Sequence, residues 1–335
     1  MQTALILEIL EVAEKAAIAA AAYNGRGDKH TADQVATEAM REAFNAISFA
    51  GRIVIGEGER DEAPMLFIGE QVGSGWLDST EPIEQYDIAV DPLEGTNLCA
   101  YNRPNALTTI AVAPRGTLLY APDTYMWKLA AGAAAAATAA TGALHIDNQP
   151  SDNIAAVASA LAKPVSEVNV CILKRDRHND LIAAVRATGA RIRLIDDGDV
   201  FGAIATAVPG TGIDLYMGSG GAPEGVLAAT GLKAIGGFLM GRLDFSLDKD
   251  GVEKRQRAKT LSQVDLDSPL LMNDLVGTDD AVFIACGVTD GEMLAGVHID
   301  TSGSISTSSV IMNAADSSVR FVRTIRRGSS GVIGF

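Results

Sequence analysis

The stretch that decides the fold is residues 168–195, VNVCILKRDRHNDLIAAVRATGARIRLI. The apolar segment Val168–Leu173 is followed by a polar break, then by the helix-like segment Asn179–Thr188 and the apolar segment Arg191–Ile195. The same alternation continues along the second half. Further helices are predicted at 200–208 and 224–230, and further strands at 213–217 and 233–238. Strands that alternate with helices are typical of βαβ units, so we predict a largely parallel sheet covered by helices.

Polar side chains collect where these predicted strands end, which is where parallel sheets bind ligands. The candidates after the successive strands are Arg175, Asp176, Arg177, Asp197, Gly198, Asp199, Gly221 and Glu224. Arginine binds phosphate through two parallel hydrogen bonds, and aspartate accepts hydrogen bonds from sugar hydroxyls. The alternatives are a solvated charge cluster for the arginines, a helix cap for Asp199 and a first-turn acid favoured by the helix dipole for Glu224.

In the first half the predicted helices come first and the strands follow, which indicates an α+β arrangement. Helices are predicted over 5–23 and over 31–49, the second capped by Thr31, and strands over 52–55, 87–90 and 108–112. A late strand is predicted at 282–286. The alanine-rich segment 130–143 changes the composition, so we place the domain boundary there, with domains at 1–130 and 131–335 and a C-terminal tail that can return to the first domain.

The turn Asp91–Thr96, DPLEGT, is the centre of the chemical argument. An apolar strand delivers Asp91 to its end, and Glu94 follows three residues later, so both carboxylates can reach one hard cation. Gly95 lets the backbone approach a ligand closely, and the Thr96 hydroxyl can hold a water. Oxygen ligands of this kind suit Mg²⁺ or Mn²⁺. The alternative is an Asp-Pro turn with a capping acid.

Further acidic residues strengthen the metal interpretation. Glu57, Glu59 and Asp61 follow an apolar strand in the segment GEGERD, and like charges packed together are unfavourable without a cation. An exposed acidic loop is the alternative. Asp33, in or near the first turn of the second helix, is by itself better explained by the helix dipole, and Tyr125 by core packing.

Composition limits the classes of function. The chain has 335 residues, 47% hydrophobic and 21% charged, which suffices for a buried core. A formal net charge of −15 disfavours nucleic acid and anionic membranes as partners, since both are polyanions. No apolar run reaches the ~18 residues of a membrane span, so we expect a soluble cytoplasmic protein. Three scattered cysteines and four histidines give neither a disulfide framework nor a zinc site, and no P-loop is present.

Several long segments, in one order along nearly the whole chain, resemble the lithium-sensitive phosphatase superfamily and, within it, class II (GlpX-type) fructose-1,6-bisphosphatase. The matching segments are GRGDK at 25–29, ADQ at 32–34, IGEGE at 55–59, DEAPML at 61–66, DPLEGT at 91–96, APD at 121–123, YM at 125–126, RH at 177–178, DGDV at 197–200 and GGAPEG at 220–225. The sequence departs from the family at Arg175, where lysine is common, and in the length of its alanine-rich segment.

The resemblance implies a layered α-β-α-β-α sandwich, with the metal site in the first domain and sugar-phosphate binding in the second. It implies metal ligands at Asp33, Glu57, Asp91, Glu94 and Glu224. It implies substrate contacts at Glu94, Gly95, Thr96, Tyr125, Arg175, Asp176, Arg177, Asp197, Gly198, Asp199 and Gly221. We expect Thr96, assisted by Glu59 or Asp61, to orient the attacking water.

The activity expected from the resemblance is hydrolysis of the 1-phosphate of fructose 1,6-bisphosphate, with Mg²⁺ or Mn²⁺, in a homo-oligomer that is a dimer or tetramer. A dual enzyme that also accepts sedoheptulose 1,7-bisphosphate is the main alternative. An inositol phosphatase leaves the loops of the second half unexplained. A non-catalytic sugar-phosphate sensor would be expected to lack some metal carboxylates. For Cys99, an inert buried thiol is favoured over a redox switch.

Overall fold

The structure is a computed structural model, and it describes residues 1–57, 65–76, 83–121, 123–261 and 264–327. The chain forms two compact units. The first contains Met1–Gly116, Asp280–Asn313 and the segment from Ser318 onward, and the second contains Thr117–Asp279 with Ala314–Ser317. Both units combine helices with a sheet, so the predicted α/β class is confirmed. The functional division into residues 1–130 and 131–335 stays a prediction.

The first unit is built on a sheet of eight strands among the described residues. Its helices are α1 (Thr3–Ala21), α2 (Lys29–Asn45) and α3 (Thr96–Ala100). Its strands are β1 (Ala50–Ile55), β2 (Gln71–Val72), β3 (Gln85–Glu94), β4 (Leu107–Pro114), β10 (Val282–Gly287), β11 (His298–Ile299), β12 (Ile305–Asn313) and β13 (Ser318–Arg326). They lie in the order β11-β12-β10-β4-β3-β1-β2, and β13 pairs with β12. The β1–β3 pair is parallel, and the other pairs are antiparallel.

Helices α1 and α2 pack on this sheet and cover its core. Helix α1 buries Ile6, Ile9, Leu10 and Ala13, which recur at the three- and four-residue spacing of one helix face. Helix α2 begins two residues before the predicted cap. Asp28 is its N-cap and accepts hydrogen bonds from the Thr31 amide and hydroxyl, so the prediction that Thr31 caps this helix is wrong.

The second unit holds a five-stranded sheet among its described residues. Its strands are β5 (Tyr125–Ala131), β6 (Asn169–Leu173), β7 (Arg191–Ile195), β8 (Leu215–Gly221) and β9 (Phe238–Asp244), in the order β7-β6-β8-β5-β9. Its helices are α4 (Ala133–Ala139), α5 (Pro150–Ala160), α6 (Asn179–Ala187), α7 (Asp199–Ile204), α8 (Ala222–Ala234), α9 (Gly251–Leu261) and α10 (Met272–Leu275). Helices α4, α5 and α6 pack on one face of the sheet, while α7 and α8 pack on the other.

The sheet of the second unit is mixed, not largely parallel as predicted. Strand β6 is parallel to β7 and β8, but β5 is antiparallel to both β8 and β9. The crossover from β8 through α8 to β9 therefore skips one position in the sheet, and β5 fills it. Periodicity identifies strands but does not say which strand enters a gap left by a crossover.

The predicted strand at 233–238 is wrong. Helix α8 continues to Ala234, the left-handed Gly236 makes the turn, and β9 begins only at Phe238. Helix α8 is apolar on nearly all sides because it is buried, and a short buried helix end cannot be distinguished from a strand by its apolar pattern. The β12–β13 hairpin was not predicted.

Candidate active site

The acidic residues of the predicted turn Asp91–Thr96 lie at the end of β3, because the strand continues through Glu94, further than predicted. Glu94 is buried and Asp91 is half-buried. The β3–β4 register shifts between Asp91 and Glu94, which indicates a bulge that re-aims side chains at this point. The Leu93 amide donates to Asp91 Oδ1 at 3.0 Å, and the Thr108 hydroxyl donates to the Pro92 carbonyl at 2.8 Å. The turn is thus held by the strand beside it.

Gly95 links β3 to the short helix α3 through a left-handed backbone conformation, with φ of +82°. Its carbonyl accepts hydrogen bonds from the amides of Leu98 and Cys99. A Cβ atom at this position would lie 2.8 Å from Leu98 Cδ1, so a side chain would be both strained and crowded. Thr96 is the first residue of α3 and therefore lies directly beside the acidic turn.

The donor set on β3 fits a hard divalent cation. Asp91 and Glu94 offer carboxylate oxygens within 4.8 Å of one another. Two oxygens on opposite sides of an octahedral Mg²⁺ are about 4 Å apart, since each bond is about 2.0–2.1 Å long. Two carboxylates at this separation repel one another unless a cation or proton neutralises them. A small adjustment of either side chain would bring both within bonding distance of one ion.

Asp33 and Glu57 belong to the same unit. Asp33 is the fifth residue of α2, just past its first turn, and α2 packs against α3. Burial raises the pKa of the Asp33 carboxyl, whereas a helix N-terminus would lower it. Glu57 follows β1, and its amide donates to the Leu66 carbonyl at 3.1 Å. Glu59 and Asp61, the predicted assistants of catalysis, lie outside the described residues.

In the second unit, the predicted sugar-phosphate residues lie at one edge of the sheet, at the carboxyl ends of β6, β7 and β8. Tyr125 lies at the same edge because β5 is antiparallel and Tyr125 is paired with Gly221. Arg177 donates from Nη2 to the Ser219 carbonyl at 2.7 Å, and its guanidinium lies 4.9 Å from the centre of the Tyr125 ring. A cation over an aromatic face is attracted to it, so the two side chains position one another.

The arginine and aspartates after β6 and β7 are similarly held. Arg175 donates to the carbonyls of Lys174 and Asp196, and its guanidinium lies 3.7 Å from the Asp197 carboxylate. Gly198 caps α7 with φ of +84°, so Asp199 is the first residue of the helix and not its cap. Asp176 begins the short turn that follows Arg175. These contacts hold the polar groups at the strand ends.

Glu224 lies in the first turn of α8, directly after the glycines that end β8. A Cβ atom at Gly221 would collide with the Glu224 carboxylate, which therefore folds back over the glycine backbone. Glycine is required at 221 for this arrangement. A first-turn acid is favoured by the helix dipole whatever else it does, so the role of Glu224 as a metal ligand stays a prediction.

Two residues at this edge were not selected from the sequence. Lys128 is buried in β5 and forms an ion pair with Asp199. His178 is buried after β6, with Nδ1 donating to the Leu173 carbonyl at 2.7 Å and Nε2 accepting from the Ser219 amide at 2.8 Å. The available signal for Lys128 was a lysine inside an otherwise apolar strand, since a fully buried lysine is rare unless it is paired.

Comparison with known proteins agrees with this arrangement. Residues 3–326 match the family described as bacterial fructose-1,6-bisphosphatase, glpX-encoded. The chain belongs to this family. Among curated relatives, the D-fructose 1,6-bisphosphatase class 2/sedoheptulose 1,7-bisphosphatase of Thermosynechococcus vestitus is 42% identical over 97% of this chain and 96% of its own length. The protein of the same name from Trichormus variabilis is 43% identical over the same shares.

As a member of the glpX-encoded fructose-1,6-bisphosphatase family, the chain is a phosphoric monoester hydrolase, as predicted. The acidic pair on β3 agrees with a metal-dependent phosphatase. No helix within the described ranges is long and apolar enough to cross a bilayer. The individual roles assigned to the site residues remain predictions.

Proposed function

We propose that this chain hydrolyses the 1-phosphate of fructose 1,6-bisphosphate, giving fructose 6-phosphate and phosphate, with Mg²⁺ or Mn²⁺ as its cofactor. The observation that carries the proposal is the pair Asp91 and Glu94 on a bulged strand end, beside the left-handed Gly95 and the first residue of α3. The family match over residues 3–326 supports the same reaction.

On this proposal, Asp33, Glu57, Asp91, Glu94 and Glu224 would hold the divalent cations. Bound cations neutralise phosphate charge and lower the pKa of water. The Thr96 hydroxyl, assisted by Glu59 or Asp61, orients the attacking water in line with phosphorus. Glu94, Gly95 and Thr96 contact the reacting end of the substrate. Acceleration would then come mainly from positioning and electrostatics, as is usual for phosphoryl transfer.

The far end of the substrate would bind at the strand ends of the second unit. Arg175 and Arg177 supply guanidinium groups for the second phosphate, with Asp176 and Tyr125 beside them. Asp197, Gly198, Asp199 and Gly221 face the sugar. Support comes from the contacts that fix Arg177 against Tyr125 and Arg175 beside Asp197 before any ligand arrives. Side chains ordered in advance reduce the entropic cost of binding.

Sedoheptulose 1,7-bisphosphate is a second candidate substrate, because the curated relatives are named for activity on both sugars. The two substrates differ by one carbon of the sugar chain. A non-catalytic sensor is disfavoured, since the described part of the chain retains Asp33, Glu57, Asp91, Glu94 and Glu224.

The test is phosphate release from the two sugar bisphosphates, measured side by side with Mg²⁺, with Mn²⁺ and with EDTA. We expect metal-dependent release from fructose 1,6-bisphosphate, and the ratio of kcat/KM for the two sugars decides whether the enzyme is dual. No release from either sugar by folded, metal-supplemented protein would refute the phosphatase proposal and favour the sensor.

Asp91→Asn tests the metal site directly. The amide keeps the size of the side chain but removes the charge, so turnover should fall by at least about 100-fold, as for loss of a major electrostatic contact to the transition state. Circular dichroism should show an unchanged fold. Glu38→Gln is a matched control, because Glu38 is exposed on α2 and its carboxylate accepts a hydrogen bond from the Gln34 side chain at 2.8 Å. Full activity of Asp91→Asn would rule out this assignment.

We also propose that the protein acts in the cytoplasm as a homo-oligomer, a dimer or a tetramer. The supporting observation for a reducing compartment is that Cys99, Cys171 and Cys286 are buried thiols that form no disulfide. Light scattering coupled to gel filtration would measure the mass of the particle, and a mass of one chain at micromolar concentration would refute the oligomer.

A further inference from the structure

Lys128 is a buried lysine inside the sheet of the second unit. It lies in β5, between β8 and β9, and its side chain is 1% exposed. Its partner in the register on β8 is Gly218, and its partner on β9 is Gly241. Its stem lies beneath the first turn of α8, where a Cβ atom added at Gly225 would lie 3.4 Å from Lys128 Cδ.

The ammonium group reaches the edge of the sheet that holds the proposed sugar site. It forms an ion pair with Asp199 Oδ2 and donates to the Gly221 carbonyl at 2.7 Å. A Cβ atom at Gly220 would collide with Asp199 Oδ2 and would lie 3.0 Å from Lys128 Nζ. One ammonium group therefore connects the start of α7 with the end of β8, and glycine at position 220 leaves the space for it.

Stability alone is a poor explanation for this arrangement. A buried ion pair contributes little net stability, because the cost of removing both charges from water offsets their attraction. Both groups that Lys128 holds belong to residues proposed to face the sugar, namely Asp199 and Gly221. Lys128 itself lies too deep in the sheet to touch a ligand.

We propose, on the basis of the proposed function, that Lys128 is a positioning residue for sugar binding. It holds the Asp199 carboxylate and the Gly221 backbone in the orientation that receives the sugar hydroxyls. Its effect is on affinity for the sugar portion of the substrate and not on the chemical step, which takes place at the metal carboxylates.

Lys128→Met tests the proposal by removing the charge while keeping the length of the side chain. We expect KM for fructose 1,6-bisphosphate to rise about tenfold or more, the loss expected for a hydrogen bond to a charged group, while kcat changes by less than about threefold. Fructose 6-phosphate should bind about tenfold more weakly in calorimetry, since it carries the same sugar contacts.

Lys163→Met is the matched control. Lys163 forms an ion pair with Asp214 at 2.6 Å, and Asp214 also accepts a hydrogen bond from the Asn169 amide. Asn169 is the first residue of β6, so this pair lies at the opposite end of the strand from the proposed site. Breaking this pair should lower the thermal midpoint but leave KM unchanged. A KM that rises equally in both lysine variants would identify a merely structural role for Lys128 and overturn the proposal.

A double variant tests whether Lys128 acts through Asp199. In the Asp199→Asn background only the bond to the Gly221 carbonyl remains to be lost, so adding Lys128→Met should raise KM by a clearly smaller factor than it does in the wild-type protein. A rise as large as in the wild type would show that Lys128 acts without Asp199, contrary to the proposal. If Lys128→Met does not fold, Lys128→Gln retains a donor for Asp199, and its KM should rise at least about threefold, since an uncharged donor makes the weaker hydrogen bond. An unchanged KM in that variant overturns the proposal.

The wild-type protein separates this inference from the proposed function. If it hydrolyses neither sugar bisphosphate but binds fructose 6-phosphate, the phosphatase proposal fails, and the calorimetric comparison of wild type with Lys128→Met still decides the role of Lys128. If it hydrolyses the substrate and Lys128→Met has a wild-type KM, only the inference fails. If it binds no sugar phosphate, both fail.

Discussion

At the scale of single residues, Gly95 has a left-handed backbone, and the Leu98 side chain leaves no space for a Cβ atom there. Gly116 has nearly the same φ, +81° against +82°, but a Cβ atom there would meet nothing within 4 Å. Replacing either by alanine costs about 1–2 kcal/mol for the left-handed backbone. Gly95→Ala should lose about 1–3 kcal/mol more, because the new methyl group crowds Leu98.

Urea unfolding of the two variants measures this difference, and turnover should fall in Gly95→Ala alone because the turn that carries Asp91 and Glu94 is disturbed. Equal stabilities for the two variants would show that Leu98 moves aside without cost. Unchanged turnover in a destabilised Gly95→Ala would separate the turn from catalysis.

The cysteines are buried, whereas a redox-switch cysteine is exposed and has a low pKa. Burial raises the pKa of the Cys99 thiol to about 11, and that of Cys286 to about 12. Cys99 Sγ also donates to the Ala20 carbonyl at 3.5 Å. Because the thiolate is the reactive form, we expect negligible alkylation of folded protein by iodoacetamide at pH 8. Unfolded protein in urea is the control and should react at three thiols. Oxidant-sensitive activity that Cys99→Ser abolishes would contradict this expectation.

At the scale of elements, His178 joins the ends of two strands. Its ring bonds the Leu173 carbonyl at the end of β6 and the Ser219 amide in β8, and burial lowers its pKa below the ordinary value of 6.5. Above pH 6.5 the ring is neutral in both the folded and the unfolded chain. Below it, only the unfolded chain takes up the proton, so the free energy of unfolding falls by at most about 1.4 kcal/mol per pH unit.

Urea unfolding at pH 7.5, 6.5 and 5.5 measures this loss. The variant His178→Gln should be less stable than the wild type at pH 7.5. Its free energy of unfolding should fall less than that of the wild type as the pH is lowered. His298→Gln is the control, since His298 is exposed and its ring bonds the Asp290 carboxylate at 2.8 Å. Parallel pH dependence in wild type and His178→Gln would assign the acid loss to other groups.

Helices and strands with a regular spacing of apolar residues were predictable from the sequence. Features that depend on contacts between distant parts of the chain were not. The strand that carries Asp91 and the strand–helix alternation from Val168 onward follow directly from apolar spacing. The insertion of β5 between β8 and β9 depends on long-range pairing, which local pattern does not encode. Lys128 was missed for the same reason, because its partners Asp199 and Gly221 are far from it in the chain.

At the scale of the whole molecule, the metal should act on stability as well as on turnover. A ligand that binds only the folded chain stabilises it by about 2.7 kcal/mol at 100 times its Kd. We therefore expect Mn²⁺ to raise Tm by several degrees, as follows from about 2–4 °C per kcal/mol in larger domains. Asp91→Asn should lose most of this shift.

Sodium chloride at equal ionic strength is the control, because a chain of net charge −15 gains stability from screening alone. A shift of the same size with sodium, or one that persists in Asp91→Asn, would show that the metal acts through general screening and not through the carboxylates of β3.

The path of the chain has a consequence for biosynthesis. Strand β10, which lies between β4 and β12, is made only after residues Thr117–Asp279 of the second unit have been synthesised. At ordinary elongation rates the nascent β4 waits roughly 10–30 s for that partner. During this interval the apolar strand Leu107–Pro114 presents an open edge, which is a template for aggregation. The nascent chain should therefore depend on chaperones at this stage, and translation that stops short of Val282 should yield an insoluble product.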